Sequence, residues 1–364
     1  MKFDLSEDQE LLRSATADFI AGDCALESNR QIAEAQIEAT GESAGEGFSR
    51  AHWAKLAELG YLGLIAGESV GGQGLGAVEL AIVCHEMGKV CFPGPYLDVL
   101  IAAKVIEASG AANDVAAAAV RGEEIVVAAH RERVWPNQPA SLAYSDAHVE
   151  GTAYFVAYGA SADRLLVIVG DDTVLADGPF SSEPMESLEE MTRFAEVRLD
   201  NPARRLGDRA LAHALTDLTA VGAAAHALGL CESAMQRTID YSRERETFGK
   251  PIGSYQSLQH RMADMLVRTE SARSVVYHAA WSVAAGTADA ALVAASAHAY
   301  AVAAARGISE QAIQIHGGNG FTWEYDVHCF LKRALTLEHH PVSQRYALGR
   351  ALAKFENRGE RATT

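Results

Sequence analysis

No run of about 18 uncharged apolar residues with membrane character occurs in this sequence, so no transmembrane helix is expected. The nearest candidate, Ala288–Ala305, carries Asp289 and His298, and Arg306 follows it. Alanine is only weakly hydrophobic, so this stretch predicts a buried helix instead. Cysteine is sparse: Cys24, Cys84, Cys91, Cys231 and Cys329, with no CxxC pair. That argues against a disulfide framework or a paired-thiolate metal site and predicts free thiols in a reducing cytoplasm. Positive charge is short as well, 31 Lys and Arg against 48 Asp and Glu, a net charge of −17. Nucleic acid and anionic membrane are thereby disfavoured as partners. An anionic cofactor is not, because a few arginines gathered at one place bind phosphate inside an acidic protein. The first residues, MKFDLSEDQELL, are acidic and amphipathic, unlike a signal peptide.

What is present points to a globular chain of several parts. Its 364 residues, 49% hydrophobic and 22% charged, suffice for two or three packed units. Residues 1 to 124 read as helical. Ser6 precedes Glu7, Asp8 and Glu10, with Leu11 and Leu12 behind them: a cap, an acidic first turn, then apolar residues. Trp53, Leu56, Ala57 and Leu59 recur at helical spacing before Gly60, and Glu79–Met87 and Val99–Ala108 predict two more helices. From 125 to 205 the character changes. Ile125–Ala128, Ala153–Val156 and Leu165–Val169 are short apolar runs, and Arg193–Leu199 alternates like a half-buried strand. Turn residues such as Asp177-Gly178-Pro179 separate them, as in a small β-domain. From 206 to 364 the chain is helical again, with candidates Leu211–Arg243, Tyr255–Ala285, Thr287–His316, Asp326–Leu337 and Val342–Asn357. Long helices with short loops make a bundle. The expected fold class is mostly α with a central β-domain.

Two segments carry chemistry. The first is Arg243–Ile252, RERETFGKPI, followed by Gly253-Ser254-Tyr255-Gln256, at the junction of two long predicted helices. Arg245 is always charged and can fork onto a pyrophosphate. Thr247 adds a hydroxyl and Phe248 an aromatic face, while Gly249 and Pro251 shape the turn. Alternatively, Arg245 pairs with Glu244 or Glu246, as exposed arginines often do. The second segment is Ala312–Gly320, AIQIHGGNG, with FTWEYDVH after it. Taken alone, such a glycine pair is an ordinary helix end. Gly71, Gly72 and Gly74 form no dinucleotide loop, since no strand leads into them, and predict a surface turn.

Placed about 70 residues apart with an Ala-rich helix between them, these segments resemble the two flavin motifs of the acyl-CoA dehydrogenase family. Trp53-x-x-Leu-x-x-x-Gly60, Gly71-Gly72-Gln73-Gly74 and Glu86-x-Gly88 resemble that family's first helical domain. The resemblance spans nearly the whole chain and is thin between Arg131 and Ser145. It implies a helical domain at 1–124, a β-domain at 125–205 and a four-helix bundle at 206–364 through which subunits associate. It also implies FAD as cofactor and α,β-dehydrogenation of an acyl-CoA thioester. Cofactor contacts then fall to Arg245, Thr247, Phe248, Gln256, Gln314, Gly317 and Gly318. In the family the second segment reaches the flavin of a neighbouring subunit. Asp217 matches a position that binds the CoA portion. No metal site is implied, and the adjacent His339 and His340 lack a matched partner.

The family's chemistry needs a carboxylate to remove the α-proton, a flavin to accept hydride from the β-carbon, and hydrogen bonds to the thioester carbonyl. The two positions where relatives carry the base correspond here to Pro341, 23 residues after Gly318, and Thr219. Neither is a base. Glu338 stands three residues early and reads as solvent-facing. In the β-domain, the loop His130–Ser141 and the strand Tyr154–Gly159 depart from the family pattern, with Ala157 where a hydroxyl is expected; Ala162-Asp163 still matches. Together with Trp-Glu-x-Asp-x-His at Trp323–His328, this resembles the shorter subunit of heterotetrameric bacterial dehydrogenases that act on steroid side chains and other bulky acyl-CoAs. There a longer homologous chain brings the base. The expectation is therefore a cytoplasmic partner subunit with no catalytic residue of its own, served by an electron-transfer flavoprotein or similar acceptor. The alternatives are a homotetrameric dehydrogenase using Glu338 or Asp217, a non-catalytic flavoprotein subunit, or an oxidase or monooxygenase on the same fold.

Overall fold

The computed structural model describes residues 4–38, 46–129 and 142–343, with 345, 348, 349 and 352 beyond them. The predicted loop His130–Ser141 and most of the predicted helix Val342–Asn357 lie outside the described residues. The described helices are α1 (Glu7–Asp23), α2 (Leu26–Glu38), α3 (Arg50–Glu58), α4 (Ala77–Gly88), α5 (Tyr96–Ser109), α6 (Asn113–Val120), α7 (Arg209–Glu244), α8 (Gln256–Ala284), α9 (Ala290–His316) and α10 (Val327–Leu337). The chain divides into two compact units, one of Met1–Arg30, Ala77–Phe92 and Ala220–Thr364, the other of Gln31–Gly76 and Pro93–Thr219.

Among the described residues the first unit is helical apart from one short hairpin near residues 246–251. Its α1 starts where the sequence predicts: Ser6 Oγ accepts from the Gln9 N–H at 3.2 Å, and Gln9 Oε1 accepts from the Ser6 N–H at 2.9 Å. This reciprocal cap satisfies two otherwise orphaned donors. Helix α1 packs on α4, α4 on α8, α8 on α9 and α9 on α10. Between α4 and α7 the contact is backbone to backbone. A Cβ on Gly88 would lie 2.1 Å from the His226 carbonyl oxygen, and one on Gly229 would lie 2.2 Å from that of His85. Beside this crossing, Glu232 contacts His85 Nε2 at 2.9 Å and Lys89 at 3.3 Å, and pairs with Arg273. Burial alone would raise the Glu232 pKa; the His85, Lys89 and Arg273 contacts reverse this and hold it well below the usual carboxylate range. Helix α9 buries its alanines, as expected of Ala288–Ala305. Two segments, Arg209–Glu244 and Ala290–Phe321, are long and apolar enough to cross a membrane by composition. However, 83% and 61% of their most apolar windows are buried inside the protein, as in core helices.

The second unit holds α3, α5, α6 and a seven-stranded mixed sheet. Its strands are β1 (Val126–Ala129), β2 (Ala143–Ser145), β3 (His148–Ala157), β4 (Arg164–Val169), β5 (Asp172–Asp177), β6 (Ser181–Met185) and β7 (Phe194–Gly207). The order is β1-β4-β5-β7-β3-β2, with β6 also on β7. Only β1 and β4 run parallel. The long β7 pairs with β3 and β6 through its first half and with β5 through its second. A bulge between Ala153 and Val156 bends β3, and Phe155 takes φ +54° there. Just after β3, Tyr158 donates to the Met191 carbonyl at 2.8 Å and accepts from the Gly94 N–H at 2.7 Å. The sequence reading anticipates β1, β3, β4 and β7. It misses β2, β5 and β6, whose apolar content is too short to register.

Candidate cofactor site

The C-terminal end of α7 runs directly into a small hairpin, β8 (Glu246–Thr247) paired with β9 (Lys250–Pro251). Phe248 and Gly249 alone turn the chain, with φ of +54° and +77°. A two-residue turn with positive φ at both positions suits glycine, which takes that conformation freely, and strains phenylalanine, which does not. The result is that Phe248 stands 94% exposed. The hairpin is pinned at its base. Arg245 N–H donates to Tyr241 O and Ile252 N–H to Arg245 O, both at 2.8 Å. Tyr255 Oη donates to Thr247 O at 3.0 Å, and Lys250 Nζ lies 4.2 Å from the Tyr255 ring centre.

Arg245 itself is exposed and forms no ion pair among the described residues. The alternative pairing with Glu244 or Glu246 is therefore not made. The neighbouring Arg243 does pair, with Asp240 at 3.4 Å.

The second motif closes α9. At Gly317, φ +63°, and at Gly318 a Cβ would meet no atom within 4 Å, so the chain there leaves room for a close approach, although the Gly317 N–H itself donates to the Ile313 carbonyl. Gln314 and Gln256 are exposed too. Gly320 differs: it is buried, and a Cβ there would lie 2.9 Å from the Ile313 carbonyl oxygen. That glycine serves packing. Phe321, next in line, is 73% exposed.

The structure joins the two motifs through Tyr241, one helical turn before Arg245. Its ring stacks on His316, and its hydroxyl donates to the His316 carbonyl and accepts from Asn319 Nδ2 at 3.2 Å. Burial lowers the His316 pKa, opposed by its 2.8 Å contact with the Ala312 carbonyl. A cleft of about 270 Å³ opens here, lined in part by Tyr241, Glu244, His316, Glu324 and Tyr325. Sequence reasoning misses Tyr241; the available signal is its place on the same helical face as Arg245, four residues on. An unpaired guanidinium, a hydroxyl, an uncrowded glycine pair and displayed aromatic rings fit a phosphate-bearing aromatic cofactor.

The base positions look different. Thr219 is buried and donates its hydroxyl to Leu215 O at 2.8 Å. Pro341 carries no acid. Glu338 is not solvent-facing, contrary to the sequence reading. Its side chain is only 13% exposed, and Arg306 Nη1 holds both its oxygens at 3.1 and 3.2 Å. Arg306 also binds Glu310 at 2.9 Å. Asp217 is half-buried on the part of α7 that belongs to the second unit. Ala157 is buried at the end of β3, and Asp163 accepts from the Ile125 N–H at 2.8 Å, a structural duty. Among the described residues no three His, Cys, Asp or Glu side chains converge as metal ligands.

Comparison with known proteins gives the family. The model of the acyl-CoA dehydrogenase N-terminal domain matches residues 6–114, and that of the acyl-CoA dehydrogenase C-terminal domain matches residues 207–339. Acyl-CoA dehydrogenase IpdE2 of Mycolicibacterium smegmatis is 30% identical over 331 residues, covering 91% of this chain and 93% of the relative. Among solved structures, the ChsE4-ChsE5 complex from Mycobacterium tuberculosis superposes with a TM-score of 0.85 at 25% identity, covering 99% of both chains. The steroid ACAD Tcur3481-Tcur3483, solved as a variant, superposes with a TM-score of 0.86 at 25% identity, covering 98% of this chain and 99% of that one.

Proposed function

This chain belongs to the acyl-CoA dehydrogenase family, and from that premise we propose that it is the partner subunit of a heteromeric, FAD-dependent dehydrogenase acting on a bulky, steroid-like acyl-CoA. The observation that carries the proposal is an imbalance. The cofactor half of the site is furnished and open, whereas neither base position offers a carboxylate. Thr219 spends its hydroxyl on its own helix, Pro341 has no acid, and Glu338 is held by Arg306.

Bound FAD supplies the hydride acceptor. This chain would hold it through the Arg245 charge, the Thr247 hydroxyl, the Phe248 ring, the Gln256 and Gln314 amides, and the backbone at Gly317 and Gly318. Asp217 would meet the CoA portion. The longer homologous chain would bring the carboxylate that takes the α-proton. The domain limits 1–124, 125–205 and 206–364, a cytoplasmic setting and an electron-transfer flavoprotein as acceptor belong to the same proposal. The likeness to a two-chain complex and to a steroid ACAD supports it.

The test is anaerobic flavin bleaching by steroid-like acyl-CoA thioesters. The purified chain alone should not bleach. Adding a longer homologous chain that carries the Glu should restore bleaching, and replacing that chain's Glu should abolish it. Turnover by the single chain, lost in Asp217→Asn or Glu338→Gln with the fold intact, would establish a homotetrameric enzyme instead.

A further inference from the structure

In the run Trp323–His328, Glu324 and Tyr325 line the cleft described above, and Asp326 is left without a stated task. Its contacts show one. Asp326 occupies the N-cap position of α10, where an aspartate ordinarily accepts a backbone N–H of the first turn. Here its side chain makes no such cap bond. Instead Asp326 Oδ2 lies 3.0 Å from Arg237 Nη1 on α7, and Oδ1 lies 3.4 Å from Arg30 Nη1 on α2. Arg30 also donates to the Trp323 carbonyl. The carboxylate is 16% exposed and Arg30 17%, so water screens that contact little; Arg237, 42% exposed, is screened more.

The neighbours follow the same pattern. Trp323 meets His328 edge-on with centroids 4.7 Å apart, and Lys332 Nζ sits 5.1 Å from the Trp323 ring. Tyr325 meets Tyr241 edge-on at 5.6 Å and His316 at 5.9 Å. Only Glu324 points to solvent.

We infer that Asp326 is a positioning residue: by bridging Arg30 and Arg237 it fastens the turn bearing Gly317 and Gly318 to the end of α7 that leads to Arg245. This rests on the cofactor reading above, since the two segments it holds in register are those assigned to FAD. The bridge is electrostatic. Replacing the anion with the neutral amide of the same shape removes the charge that draws the two guanidinium groups together and so loosens the turn.

The experiment compares wild type, Asp326→Asn and Asp326→Glu as full chains, with the longer partner chain present in the cofactor arm. Hydrogen–deuterium exchange should show faster exchange over 312–328 in the Asn variant, with α8 unchanged. The Glu variant, which keeps the charge, should recover most of the protection. FAD titration should show a dissociation constant raised about tenfold or more in the Asn variant and largely rescued by Glu. Unchanged exchange over 312–328 in Asp326→Asn would overturn the assignment, as would loss of protection spread evenly over α8 and α9. If wild type takes no FAD, the cofactor reading fails, and the exchange arm still decides whether Asp326 fastens the turn.

Discussion

Tyr241 lies nearly parallel to His316, ring centroids 4.2 Å apart and planes 20° apart, and its hydroxyl donates to that same histidine's carbonyl oxygen at 3.3 Å. One side chain of α7 thereby fixes both the ring and the backbone of the last residue of α9. Tyr241→Phe keeps the stack and removes the hydroxyl. Urea unfolding should show a loss of about 1 kcal/mol, the usual net worth of one such bond. Unchanged stability would mean that the stack alone holds the junction.

Arg245→Ala should release FAD without harming the fold. The side chain is exposed and makes no ion pair among the described residues, so its removal costs little stability. A bidentate phosphate contact is worth roughly 1.5–3 kcal/mol, so the dissociation constant should rise about tenfold to a hundredfold. Arg245→Lys should recover only part of the loss, because an ammonium cannot fork. Flavin retention in the Ala variant equal to wild type would remove Arg245 from the site.

Glu338→Gln should leave turnover of the reconstituted complex within about twofold, because the carboxylate serves Arg306 rather than substrate. The stability cost should stay below about 1 kcal/mol, since Arg306 keeps Glu310. Steady-state rates and a melting curve on the same sample check both parts. A collapse of turnover with an unchanged melt would reinstate Glu338 as the base.

His298 gives the pH prediction. It is buried in α9 with neither ring nitrogen hydrogen-bonded among the described residues. Burial pushes its pKa down from 6.5 to about 4. Between those values the unfolded chain binds a proton that the folded chain refuses. Stability is therefore whole above the unfolded value and is lost as pH falls toward the folded one. His298→Leu removes both the titration and the unsatisfied nitrogens. Its Tm should exceed wild type at pH 8 and exceed it by more at pH 5. An equal gain at the two pH values would contradict the linkage.

Much of this molecule is legible in its sequence because the signals are long. Helices α7, α8 and α9 repeat their apolar faces over many turns, and the RETFG and GGNG segments carry distinctive residue types. What stays hidden is short or distant. Strand β5 buries only Thr173 to Ala176 between two aspartates. The Glu338–Arg306 pair joins residues 32 positions apart, and no local pattern announces it. Asp326 misleads at close range: at the start of a helix it reads as a cap, while its partners Arg30 and Arg237 come from elsewhere in the chain. Tertiary partners decide the role of a charged residue, and spacing along the chain does not contain them.

The hairpin at Phe248 has a consequence for the life of the chain in a cell. A phenyl ring left in water forgoes about 1.5–3 kcal/mol relative to a covered one, and here it is displayed at the tip of a tight turn. On the proposed function, a newly made copy lacking flavin and companion would present this ring to chaperones and proteases, and a loaded copy would cover it. Abundance would then follow the supply of cofactor and companion. Pulse–chase labelling should show a shorter half-life for the orphan chain, and Phe248→Ser should lengthen it. An orphan half-life insensitive to that change would separate turnover from the exposed ring.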